Sequence, residues 1–226
     1  ARLKHPLLPS LVLIILPFAC LIAHYQQSDR SKSFIPLDYA SNILGTLPPH
    51  SMLFTAENFL HGPIQYLQIV NGDQDDFIPI NRDLLSQSQY CQYLLKRYPH
   101  ITPKDILSIP SEKRFFHFID TNISKQPIFA TFVIPEQYES IPYGLVYQIL
   151  SKGIVPEFEK IKQINDAQWE HYVQRGLLDE NIYKDYMVKE IVEAYGKSKN
   201  NLALYYSSND RVEDAIKEYT LALQYN

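Results

Sequence analysis

Cysteine is nearly missing from this chain: Cys20 and Cys91 are the only two among 226 residues, and they stand far apart. They cannot build a disulfide framework, so they assign no redox compartment. A basic excess is missing too. Lysine and arginine number 21 against 25 acidic residues, for a formal net charge of −4. Nothing in that balance would neutralise a phosphate backbone, so nucleic acid is not an expected partner. No P-loop, G-x-S-x-G or dinucleotide glycine fingerprint occurs. The histidines show no i, i+4 pairing and no partner cysteines, which argues against a zinc site. No cofactor and no catalytic residue follow from the sequence. Glycine is sparse, at 7, while tyrosine reaches 17. Tyrosine buries a ring and keeps a polar tip, which suits cores and helix-on-helix packing alike.

What is present begins with apolar content. At 46% hydrophobic residues the chain can fill a packed core. No residue from Pro6 to Ala23 carries a formal charge. As a helix that run measures about 27 Å at 1.5 Å per residue, near the thickness of a bilayer core. Tyr25 follows at interfacial position, and Pro9 and Pro17 are tolerated within membrane helices. A signal peptide starts in the same way, but this run is long for one and lacks a small-x-small cleavage site. A membrane-crossing helix within residues 1–28 is therefore the expectation. Arg2 and Lys4 before it balance Arg30 and Lys32 after it, so charge does not orient it.

Residues 29–156 read as an α/β domain with a small, mostly parallel sheet. A short helix over Leu37–Leu47 precedes Pro48-Pro49, and Ser51–Ala56 is a buried strand. Asn58–Val70 has helical spacing and closes at Asn71-Gly72; Phe77–Ile80 is a second strand; Leu84–Tyr98 is a second helix stopped by Pro99. That alternation implies parallel pairing. The prolines and scattered charges of Ile101–Lys125 suggest a linker or peripheral excursion. Pro127–Ile134 is a β-branched and aromatic strand, and Leu145–Leu150 is another, giving about four strands.

Residues 157–226 lack proline and are expected to be all helical. Leu202, Ala203, Tyr206, Ala215, Tyr219 and Ala222 fall at the spacing of a tetratricopeptide repeat over 196–226. In such a hairpin small residues let two helices approach, and the aromatics fill the space between them. Residues 166–195, with Trp169, Tyr172, Tyr183 and Tyr186, read as a degenerate preceding hairpin. One repeat cannot bury both faces, so the sequence looks cut off inside an array.

Several short matches also carry a family likeness: Asp29-Arg-Ser-Lys32, Asp38-Tyr-Ala40, Asn42-Ile-Leu44 and Leu47-Pro-Pro49. Leu53-Phe-Thr55, Tyr66-Leu-Gln68, Gly72, Asp76, Leu84-Leu85 and Pro127–Gly144 extend them. Together they resemble the segment after the last membrane helix in multi-spanning, GT-C-type proteins related to the transmembrane protein O-mannosyltransferase. The resemblance implies an enzyme using a lipid-linked sugar donor and a protein acceptor, with this part lumenal, periplasmic or extracellular. The acidic catalytic loop of such enzymes lies outside this chain, and Ala56-Glu57-Asn58-Phe59 departs from the family's acidic turn.

Three local features invite chemistry. Asp73-Gln74-Asp75 is a D-x-D, suited to a hard divalent cation, though solvated acids in a turn explain it more simply. Glu57 and Asn58 end the first strand, where open sheets bind ligands, and Asn58 also suits a helix N-cap. Asn122-Ile-Ser124 is a glycosylation sequon. The expected function is the non-catalytic C-terminal portion of a membrane glycosyltransferase-like protein, its α/β domain and repeats holding an acceptor or partner. The alternative is a single-span, membrane-anchored repeat scaffold without enzymatic activity.

Overall fold

A computed structural model describes residues 7–56, 58–71, 77–135 and 137–225. The chain opens with helix α1 (Leu7–Ser28) and α2 (Ile35–Thr46). Strand β1 (Ser51–Thr55), helix α3 (Asn58–Asn71), strand β2 (Phe77–Asn81) and helices α4 (Ser88–Arg97) and α5 (Arg114–Asn122) follow. Then come β3 (Ile128–Ala130), the hairpin β4 (Tyr138–Tyr143) and β5 (Val146–Ser151), and helices α6 (Phe158–His171), α7 (Tyr186–Ser208) and α8 (Val212–Ala222).

The five strands form one mixed sheet in the order β2-β1-β3-β5-β4. β1 pairs in parallel with β2 and β3, whereas β5 is antiparallel to both β3 and β4. Alternation along β1 sends Leu53 to one face and Met52 and Phe54 to the other. The Leu53 face packs on α2, α3 and the first half of α7; the Phe54 face packs on α4 and α5. The sheet is therefore the middle of three layers.

Both sheet edges are closed by side chains. On β2 the Asn81 N–H donates to the Tyr90 hydroxyl at 3.0 Å, and Gln68 Nε2 donates to the Phe77 carbonyl at 2.9 Å. Pro79 lies between them and has no N–H to leave open. On β4 the Pro142 carbonyl turns outward to accept from Asn165 Nδ2 at 2.9 Å, so the missing N–H of Pro142 faces away from β5. Asn165, fully buried on α6, also accepts from the Gly144 N–H at 2.8 Å. Gly144 turns the hairpin at φ +63°, and a Cβ there would collide with the Tyr172 hydroxyl.

Several expectations are corrected. Among the described residues no helix is long and apolar enough to cross a membrane. Pro6 lies outside the described residues. The membrane-crossing helix at 1–28 is withdrawn, and so is the lumenal, periplasmic or extracellular membrane placement that rested on it.

The sheet is mixed rather than mostly parallel, because β4 went unrecognised: its Glu139, Ser140 and Pro142 do not look like a strand. Residues 101–125 are no linker, since α5 places Phe115, Phe118 and Ile119 in the core. The helix expected over Leu84–Tyr98 is a 3-10 turn, Asp83–Ser86, followed by α4. The strand expected over Pro127–Ile134 keeps only Ile128–Ala130, its ladder closing where the Thr131 N–H meets the Phe54 carbonyl at 2.9 Å. Residues 166–195 form no hairpin: α6 packs on β4, and irregular chain fills 172–185.

Candidate functional site: a groove on the α7–α8 hairpin

The six residues with repeat spacing meet in the α7–α8 hairpin. Leu202, Ala203, Tyr206, Ala215 and Ala222 are buried, and Tyr219 is half-buried against them. Phe158 of α6 covers the cluster from below, its ring edge-on to Tyr206 at 5.3 Å. Asp210 reverses the chain at φ +60°, a conformation Asp tolerates better than most residues.

Across the same interface Lys199 Nζ donates to Glu218 Oε2 at 2.6 Å, with both side chains buried. The ammonium also stands 4.0 Å from the centre of the Trp169 ring. Burial pulls the Lys199 pKa below its ordinary value, and the bond to Glu218 opposes that only in part. The sequence gives no local sign of this pair, since nineteen residues separate its members.

The other end of the hairpin is open. A groove of about 860 Å³ runs between the 177–184 segment, α7 and the end of α8. Its floor is Val192, Gly196 and Ala222. A Cβ on Gly196 would stand 3.1 Å from Cβ of Tyr225, so glycine lets the last turn of the chain close on α7. Tyr225 stacks on Tyr195 at 5.9 Å and donates its hydroxyl to Gln174 Oε1 at 2.9 Å. The lips are apolar and exposed: Leu178 at 51% and Leu223 at 69%. The wall carries Lys184, Lys189 and Lys197 against Glu180 and Glu193, with Lys197 held by Glu193 at 3.0 Å.

A second concave region lies at the carboxyl ends of β1, β2 and β3, where the strand order makes a switch point between β1 and β3. Cavities of about 500 and 270 Å³ meet there at Phe132 and Val133. The Arg82 guanidinium covers the Phe132 ring at 4.4 Å, and Thr131 Oγ1 is buried without a hydrogen-bond partner. Nearby, Thr55 Oγ1 and His61 Nδ1 share a hydrogen bond of 2.7 Å. Thr55 is fully buried, and burial also lowers the His61 pKa.

The other sequence candidates scatter. Glu57 and Asp73-Gln74-Asp75 lie outside the described residues; Asn58 opens α3. Among the described residues no group of three or more His, Cys, Asp or Glu could hold a metal ion. Asn122 is 1% exposed, and its Nδ2, the atom a glycan would need, donates to the carbonyls of Ile101 and Phe118. The fold hides that acceptor.

Two of the residues carrying the family likeness, Asp38 and Asn42, tie α2 to the segment before α7. Asp38, 3% exposed, accepts from the Arg175 backbone N–H at 2.9 Å and from its guanidinium at 2.5 Å. Asn42 donates to the Val173 carbonyl and to the Tyr195 hydroxyl. No family model matches the chain, and neither a curated protein nor a solved structure matches it. The glycosyltransferase-like and tetratricopeptide assignments thus find no support among known proteins.

Proposed function

We propose that this chain is a non-catalytic binding module that holds a segment of another protein in the α7–α8 groove. The observation that carries this is the groove's construction. A floor of small and apolar residues lies between exposed apolar lips, with charges along one wall. Such a surface gains from excluding water on contact with a complementary segment, and the wall charges set its orientation. In the form the resemblance implies, the segment belongs to a protein acceptor; in the scaffold form, to an assembly partner.

A peptide library displayed on phage and selected against the purified chain tests the reading. The control variant is Leu178→Glu/Leu223→Glu, whose two positions are more than half exposed, so the fold is preserved. The expected result is an enriched consensus that binds the variant at least about tenfold more weakly, or about 1.4 kcal/mol. Absence of a consensus, or equal binding to the variant, contradicts the reading.

A further inference from the structure

Four apolar residues continue the groove along α8 and its last turn: Val212, Ile216, Tyr219 and Leu223. Val212, Ile216 and Leu223 are 60%, 59% and 69% exposed, and Tyr219 is half-buried. Their spacing is four, three and four residues. That is the alternation by which one helix presents a seam to another, each side chain entering a hole between four residues of the partner. An extended peptide places side chains at every second residue and would match this row poorly.

We propose that the segment seated here is an amphipathic α-helix with acidic residues along the flank that faces α7, packed as a third helix on the hairpin. This rests on the binding role proposed above and specifies its ligand. The charge follows from the α7 side of the groove. On α7 Lys189 and Lys197 line the groove beside Glu193, which already holds Lys197, while Lys184 and Glu180 of the 177–184 segment offset each other in sign. Lys189 is exposed and has no ion-pair partner among the described residues. Elsewhere on the hairpin, Glu218 is held by Lys199, and Asp214 by Lys162 and Arg211. The charge left for a ligand on that side is therefore positive.

The experiment is fluorescence anisotropy on the purified chain with three labelled synthetic peptides of about 18 residues, long enough for a helix to form on binding. The first places leucine at three- and four-residue spacing with glutamate along one flank. The second has the same composition with leucine at every second position. The third replaces each glutamate of the first with lysine. The expected result is saturable binding of the first, weaker by at least about tenfold for the other two, and equally weakened by Ile216→Asp/Leu223→Asp. Circular dichroism of that variant checks that the fold is intact.

Equal binding of the first and second peptides overturns the helix while the binding role stands. Tighter binding of the lysine peptide overturns the acidic flank. If all three fail while the phage-selected peptides bind, the helix is again overturned and the groove keeps its role. If neither set binds, both readings fall.

Discussion

Lys199 and Glu218 form a buried ion pair across the α7–α8 interface. The ammonium and carboxylate are 2.6 Å apart, with side-chain exposures of 7% and 4%. Removing one partner strands a buried charge, so Lys199→Met is expected to cost about 3 kcal/mol in urea unfolding. The double change Lys199→Met/Glu218→Leu should return to within about 1 kcal/mol of the parent, because the desolvation cost disappears with the charges. A double mutant as unstable as the single one would contradict this.

His61 sets a pH dependence. Burial lowers its folded pKa, so between that value and the ordinary ~6.5 the unfolded chain binds more protons. Stability should therefore fall as pH drops below about 6.5 through the folded pKa. The slope contributed by this residue should vanish in His61→Phe. An unchanged acid slope in that variant would show that another group is responsible.

At the scale of elements, Asn165 ties three pieces together. Its side chain accepts from Gly144 N–H and donates to the carbonyls of Pro142 and Ile161, joining α6 to the β4–β5 turn. Asn165→Ala leaves those groups unpaired in a dry site and is expected to cost about 2–3 kcal/mol. Deuterium exchange should quicken first in β4 and β5, and no change there would contradict the role.

The same region shows where the sequence was legible and where it was not. β1 and β2 were found because short apolar runs flanked by turn residues have few other meanings. α2 and α3 were found from spacing and from Pro48-Pro49 and Asn71-Gly72. β4 was missed because an edge strand tolerates proline and polar side chains, and because its outward Pro142 carbonyl is met by Asn165, far along the chain. α5 was missed for a related reason: flanking prolines and the charges of Arg114 and Asp120 mask a nine-residue helix that buries three large apolar side chains. Of the six positions with repeat spacing on α7 and α8, five are buried and Tyr219 is half-buried, but no family model supports the repeat itself. The groove beside them was not legible, because it needs the 177–184 segment, which carries no regular pattern.

At the scale of the molecule, the boundary expected between 156 and 157 does not divide the core. Val188, Ile191, Tyr195 and Tyr225 share one cluster with Tyr39, Ile43, Leu53 and Phe129. Residues 29–156 expressed alone should therefore fail to give a cooperative thermal transition, whereas 29–226 should give a single one. Two separate transitions in the longer chain would restore the boundary.

That joined core anchors α7, which belongs to the α/β layer in its first half and to the hairpin in its second. On the proposed reading a partner binds in this groove rather than in the crevice around Phe132 and Val133. Amide hydrogen exchange with and without a phage-selected peptide decides between them. Added protection is expected over 177–197 and 212–225, with 128–135 unchanged. Protection centred on 128–135, with the hairpin unaffected, would contradict it.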